Sequence, residues 1–81
     1  MEKVKKITHS KIGRNRAIGL AYCESGEIVI DERLRGLEHL TILLHEVVHV
    51  LNPKWSEIKV EGHSKEMAKI LWDQKYRKVD L

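Results

Sequence analysis

The spacing of apolar residues changes along the chain, from short runs in the first third to a helical period afterwards. Residues 4–7 and 17–22 form two short candidate strands, separated by the polar, glycine-containing stretch 9–16, which predicts a hairpin or loop. A turn signal at 24–26 precedes Glu27–Asp31, where β-branched residues make the clearest strand of the chain. The first third therefore predicts a small sheet.

The remainder of the chain predicts two helices. From about Leu37 to Leu51 the apolar residues keep helical spacing, and the length of this segment favours a helix over a strand. Asn52-Pro53 ends it, because the residue before a proline avoids the α region. Ser56 is the expected N-cap of a second helix that runs to about Tyr76, with Gly62 as the candidate position for a kink or a restart. The apolar stripe of this helix comprises Val60, Ser64, Met67, Ala68 and Leu71.

These elements predict an α+β fold, in which a small antiparallel sheet packs on two helices within a single domain spanning residues 1–81. The chain has 81 residues, of which 42% are hydrophobic and 33% charged, enough apolar content for a core. A chain of this length buries only ~60–65% of its unfolded surface. A bound metal or a partner chain would therefore stabilise its core.

The amino-acid composition indicates in which cellular compartment the protein is expected. Cys23 is the only cysteine, which excludes an internal disulfide or a cysteine-rich zinc knuckle and favours a reducing compartment. The charged N-terminal residues lack the apolar segment of a signal peptide, and no apolar run reaches the ~20 residues that span a bilayer. We expect a soluble, cytoplasmic protein without a membrane partner.

The net charge of +3 is unevenly distributed, and its basic N-terminal part raises the question of nucleic-acid binding. The candidate contacts are Lys3, Lys5, Lys6, Arg14 and Arg16. No aromatic residues are interleaved with these cations, and runs of charge are usually solvated faces. Nucleic acid is therefore a minor alternative as a partner.

The candidate metal-binding and catalytic residues lie in the first predicted helix. The segment Ile42–Leu51 is aliphatic except for His45, Glu46 and His49, a composition typical of a buried helix. Histidines four residues apart lie on one helical face, so both imidazoles can bind one ion at ~2.0–2.1 Å. Glu46 is angled beside that ion, where it can accept a proton from metal-bound water. The alternative is a pair of hydrogen-bonded core histidines with Glu46 facing solvent, but the placement in the most apolar helix favours a zinc site.

Catalytic zinc takes three protein ligands and one water, so a third ligand is needed. Glu57 lies at the first turn of the second helix near its apolar stripe, although a favourable interaction with the helix dipole would also explain it. His63 is the better ligand by chemistry, but a surface histidine among lysines is an equally good interpretation. Glu61 lies ~80° from the stripe and is the weakest candidate. The residues leave the third ligand open.

The region Gly26–Asp80 resembles small SprT-like zincin metallopeptidase domains, including short phage-borne ones. The specific element is His-Glu-x-x-His, and the other resembling segments form a softer pattern. These segments are Gly26–Asp31, Arg33–Gly36, Leu43–His49, Pro53, Trp55–Glu57, Leu71-Trp72 and Tyr76-Arg77.

The resemblance implies that His45 and His49 ligate Zn²⁺ and that Glu46 is the general base. It also implies that the strand Glu27–Asp31 forms the edge of a cleft along which an extended peptide binds. Short members of the family favour Glu57 as the third ligand, whereas larger ones use a histidine in a segment that His63-Ser64 imitates. The N-terminal helix and C-terminal zinc ribbon of the larger members have no counterpart here, which argues against DNA-targeted proteolysis.

The expected function is zinc-dependent hydrolysis of peptide bonds in a peptide or protein substrate. The candidate helpers for the developing oxyanion are Tyr22, Tyr76 and His63. The main alternative is a structural or regulatory zinc-binding module without turnover. A chain this short has little material for a second wall of the cleft, so a homo-oligomer or a protein partner is also expected as a way to complete it.

Overall fold

The computed structural model describes residues 2–13 and 17–79. Within them the order of elements is β1 (Lys6–Ser10), β2 (Gly19–Tyr22), β3 (Glu27–Asp31), α1 (Gly36–Leu51) and α2 (Glu57–Asp73). The strands precede the helices, and the predicted α+β class is confirmed. Arg14 and Arg16 of the predicted basic surface lie outside the described residues.

The sheet is mixed, which corrects the expectation of an antiparallel one. Its strand order is β1-β3-β2, and β3 pairs in parallel with β1 and antiparallel with β2. The first two strands therefore flank β3 instead of forming a hairpin with each other. The reason lies in β3, whose Ile28 and Ile30 are fully buried, because the most apolar strand gains most from the central position.

The first strand begins later than its apolar residues predict. Val4 packs against the core before the strand starts, and the pairing with β3 continues through the polar residues Thr8, His9 and Ser10. Backbone hydrogen bonds to the central strand, and not side-chain hydrophobicity, set the bounds of β1. The predicted hairpin or loop at 9–16 is consequently in part strand.

The first helix occupies the predicted segment and ends where the sequence predicts. The backbone N–H of Asn52 donates to the carbonyl of Val48 at 2.9 Å, and its side-chain amide donates to the same carbonyl at 3.2 Å. These two hydrogen bonds satisfy one of the carbonyls that the last turn leaves without a helical partner. Pro53 then prevents continuation of the helix.

The second helix begins at the predicted cap, since Ser56 Oγ accepts a hydrogen bond from the Lys59 backbone N–H at 3.2 Å. The helix continues through Gly62 without a restart. The helix ends at Asp73, before the predicted Tyr76, and Lys75 follows with a left-handed φ of 73°. No helix within the described residues is long and apolar enough to cross a membrane.

Helix α1 is the layer between the sheet and α2. It contacts both β2 and β3 on one side and α2 on the other. The core cluster comprises Ile28, Ile30, Leu34 and Val50, with Ile42, Leu43 and Val47 packed against it. The expected packing of the sheet on both helices is therefore corrected, because the sheet packs on α1 and α2 packs on α1. The predicted metal site, between the two helices, therefore lies at the interface of α1 and α2.

Candidate metal centre

The histidines of the His-Glu-x-x-His motif lie one turn apart on the face of α1 that meets α2. Their ring centroids are 4.8 Å apart and the ring planes are inclined by 67°. Both side chains are mostly buried, with 19% of His45 and 23% of His49 exposed. The helical spacing of four residues brings the two Nε2 atoms toward the same point.

Glu57 supplies a carboxylate at that point. Its Oε1 lies 2.7 Å from His45 Nε2 and its Oε2 lies 2.8 Å from His49 Nε2, so one carboxylate contacts both imidazoles. Glu57 is the first residue of α2, immediately after the Ser56 cap. The cap fixes the first turn of the helix, and with it the direction in which Glu57 leaves the backbone.

The three side chains fit a zinc ion by type and by spacing. One ligand atom from each of His45, His49 and Glu57 lies within 4.8 Å of the other two, and two imidazoles with one carboxylate form a ligand set known from catalytic zinc sites. Tetrahedral coordination at 2.0–2.1 Å separates ligand atoms by about 3.3 Å. Each imidazole nitrogen, at 2.7 or 2.8 Å from its own Glu57 oxygen, would need to move about half an ångström from that oxygen to meet the spacing.

The other two candidates for the third ligand have different neighbours. The ring of His63 packs against Trp55, with centroids 4.8 Å apart. Glu61 Oε1 lies 2.8 Å from Lys65 Nζ, and hydrogen bonding to that ammonium lowers the pKa of the Glu61 carboxyl. Neither belongs to the group that contains His45 and His49. The geometry therefore favours Glu57 among the ligands that the sequence left open.

Glu46 is buried beside this group, not facing solvent as the alternative interpretation required. Its side chain is 8% exposed and lines a cavity of about 310 Å³ together with His45 and Glu57. Burial raises the pKa of the Glu46 carboxyl, an effect that the nearby His45 and His49 oppose. A carboxylate with a raised pKa is a stronger base than an ordinary one.

Gly19 is a residue of the site that sequence reasoning missed. A Cβ atom at this position would lie 2.6 Å from Glu46 Oε2 and 2.8 Å from Ile42 Cγ2. The absence of a side chain on β2 therefore creates the space that the Glu46 carboxylate occupies. The only signal in the sequence was a glycine within the predicted strand 17–22, which does not by itself indicate a neighbouring site residue.

The predicted cleft edge needs correction, and the three candidate oxyanion helpers lie away from the cavity. Strand β3 is paired on both sides, so Glu27–Asp31 cannot offer a free edge to a peptide. The strand beside the cavity is β2, because the segment 17–19 lines it. None of the three candidate helpers lines the cavity: Tyr22 lies at the far end of β2, His63 packs on Trp55, and Tyr76 lines a different cavity.

Comparison of the chain with protein-family models, with curated proteins and with solved structures finds no match. The SprT-like resemblance is therefore carried by the residues alone. Among them, His45, Glu46 and His49 make up its specific element, and the arrangement of these three with Glu57 is what the structure adds.

Proposed function

We propose that the protein is a zinc-dependent metallopeptidase of the SprT-like zincin type. The observation that carries the proposal is the contact of one Glu57 carboxylate with both His45 and His49, next to a buried Glu46. The two histidines and Glu57 would hold the ion. When bound, zinc would polarise the scissile carbonyl and lower the pKa of a water molecule toward ~7.

Glu46 is the general base in this proposal. Its carboxylate accepts the proton of the attacking water and then donates it to the leaving amine, as general acid-base catalysis requires. The position supports this role, since Glu46 is adjacent in sequence to a ligand but outside the ligand group. The carboxylate is buried close to Gly19, and such close packing supports a defined position for proton transfer.

An extended peptide is the proposed substrate, bound along β2. This strand pairs with β3 on one side only, so within the described part of the sheet its other edge has unpaired backbone groups. Peptides commonly bind such edges by adding a strand through main-chain hydrogen bonds. Because 17–19 also line the cavity with Glu46, a peptide on this edge would pass over the proposed zinc site.

A zinc-binding module without turnover is the second candidate, and one observation favours it. The contacts of Glu57 with His45 and His49 connect α2 to α1, and α1 is the layer through which α2 joins the fold. An ion at this position would fasten the two helices together whether or not a substrate binds. We include a cytoplasmic location in either proposal, because a single cysteine suits a reducing compartment.

Turnover separates the two candidates. The protein should be loaded with one equivalent of zinc and incubated with an unfolded protein substrate, in parallel with Glu46→Gln and with Glu66→Gln, an exposed helix carboxylate that serves as the control. The peptidase requires cleavage by the parent and the control, with a loss of ~10²- to 10⁴-fold in Glu46→Gln at unchanged zinc content. Zinc binding without cleavage by the parent would support the module.

A further inference from the structure

A second and larger cavity, of about 800 Å³, lies away from the proposed metal centre. It is formed by the first half of α1, the C-terminal end of α2, strand β1 and the residues after α2. It shares no lining residue with the cavity that contains Glu46. Its volume falls within the range of ~300–1,000 Å³ typical of small-molecule sites.

The walls of this cavity are mainly aliphatic and aromatic. They are provided by Leu34, Leu40, Leu43, Leu71 and Trp72, which come from the loop before α1 and from both helices. Leucine side chains adapt to an alkyl chain and offer it no hydrogen-bonding partner. The walls therefore suit a ligand whose larger part is apolar.

Charged residues of the cavity are predominantly basic. Arg35, Arg77 and Lys78 line it against the single carboxylate of Glu32. The Arg35 guanidinium donates to the backbone carbonyls of Glu32 and Leu34 at 2.6 and 2.8 Å. Carbonyl partners hold a guanidinium in place without neutralising it, and among the described residues neither Arg35 nor Arg77 forms an ion pair.

Arg77, which also lines the cavity, is held in a similar way. Its guanidinium carbon lies 3.4 Å from the centroid of the Trp72 ring, and its Nη1 donates to the Trp72 carbonyl at 2.9 Å. Stacking on an aromatic ring leaves the remaining N–H groups of a guanidinium available to a further acceptor. A planar carboxylate is the acceptor that matches a guanidinium best.

A histidine pair at the cavity, made of the buried His39 and the exposed His9, also lies within this excess of positive charge. His9 Nε2 and His39 Nε2 lie 3.0 Å apart, so only one of the two can donate the hydrogen bond, and at least one ring is neutral. Burial lowers the pKa of His39, and the positive charges of Lys78, His9 and Arg35 lower it further. An anion in the cavity would offset part of that potential.

We propose that this cavity binds a small amphiphilic carboxylate, with its alkyl chain against the leucines and its carboxylate near Arg35 and Arg77. Charge complementarity selects an anion over a cation, because the lining cations outnumber Glu32. The apolar walls select an alkyl carboxylate over a small inorganic anion such as phosphate, which would leave them unfilled. The site needs neither zinc nor turnover and is independent of the proposed function.

Decanoate, kept below its micellar concentration, is the probe. The chain has two tryptophans, and Trp55→Phe leaves Trp72 as the only one, so its fluorescence reports on the cavity wall. Saturable binding with one decanoate per chain by calorimetry, accompanied by a change in Trp72 fluorescence, is the expected result. Decanol and decyltrimethylammonium carry the same alkyl chain without the negative charge and should bind at least ~10-fold more weakly.

Variants then test the two arginines. In the Trp55→Phe background, the double variant Arg35→Gln and Arg77→Gln should weaken decanoate binding by ~10-fold or more. Lys65→Gln removes a cation outside the cavity and should change nothing. Lys78→Gln is a milder substitution that can be used if the double variant does not fold. It should also weaken decanoate binding, but by less. The proposal would be overturned if decanol bound as tightly as decanoate, or if the parent did not bind decanoate. It would also be overturned if decanoate binding were unchanged in both Lys78→Gln and the folded double variant. Concentration-dependent dimerisation that alters Trp72 fluorescence without any ligand would overturn it as well.

Discussion

The carboxylate of Glu46 lies against the backbone of Gly19, so closely that a Cβ atom on the glycine would come within 2.6 Å of Oε2. One residue comes from the central helix and the other from the edge strand β2. This contact places the proposed general base at the strand along which we propose that substrate binds. It also explains why a side chain is absent at the beginning of β2.

Gly19→Ala should impair catalysis more than zinc binding. The added methyl group would lie 2.6 Å from Glu46 Oε2 and 2.8 Å from Ile42 Cγ2, so both side chains must move, and a displacement of about 1 Å can cost ~10²-fold in rate. We expect kcat to fall by ~10-fold or more while zinc affinity changes little, as measured by steady-state cleavage and competition with a chromogenic chelator. Gly62→Ala is the control, because nothing lies within 4 Å of a Cβ atom there. An unchanged kcat in Gly19→Ala would show that the position of Glu46 does not limit the reaction.

Replacement of the candidate third ligands should give unequal losses of zinc affinity. Glu57→Ala removes the carboxylate that contacts both imidazoles, so we expect zinc affinity to fall by ~10-fold or more. His63→Ala should leave the affinity unchanged, because that ring packs against Trp55. Competition titrations on both variants measure the difference. A large loss in His63→Ala alone would assign the third ligand to the histidine.

Zinc should stabilise the packing of α2 on α1. Binding to the folded state alone adds about 4 kcal/mol to the free energy of unfolding when free zinc exceeds Kd a thousandfold. We therefore expect a higher Tm with zinc, and hydrogen exchange slowed most in the first turns of α2, where Glu57 contacts α1. Calorimetry with and without a chelator, followed by exchange measurements, provides the check. His45→Ala should abolish the zinc-dependent increase, and a Tm unaffected by chelator in the parent would contradict the site.

The sequence predicted well those features that depend on neighbouring residues. The bounds of β3, the Ser56 cap and the shared face of His45 and His49 all follow from local spacing or capping chemistry. The parallel pairing of β1 was not predictable in this way, because the central place of β3 depends on contacts between residues distant in the chain.

The same limit applies to the remaining residues of the site. Glu57 and His63 lie on one helix, and only the way α2 crosses α1 decides which of them reaches His45. Gly19 shows the limit most clearly, since its importance comes entirely from a side chain on another element. Periodicity carries no information about such contacts between layers.

Acid should destabilise the fold through Asp31 at the end of β3. This carboxylate is 2% exposed and accepts hydrogen bonds from Arg33 Nε at 2.8 Å, the Arg33 backbone N–H at 2.9 Å and the Ile12 backbone N–H at 3.3 Å. The hydrogen bonds from Arg33 hold the pKa of Asp31 far below its ordinary value of 3.8. The unfolded chain therefore binds this proton at a higher pH than the folded protein does. It follows that the stabilisation is complete above the ordinary pKa and is lost as pH falls below it.

Arg33→Gln should remove part of this pH dependence. At neutral pH the variant should be less stable than the parent, since a buried carboxylate loses its charged partner. The difference between the two should shrink as pH falls below about 4, where Asp31 of the unfolded parent becomes protonated. Urea unfolding from pH 7 to pH 3 measures the free energy of unfolding for both proteins. Lys65→Gln, which removes an exposed ion pair with Glu61, is the control and should change stability little, because solvent screens such a pair. If Arg33→Gln and the parent differ by the same amount at every pH, the effect of Arg33 is packing and not the charge of Asp31.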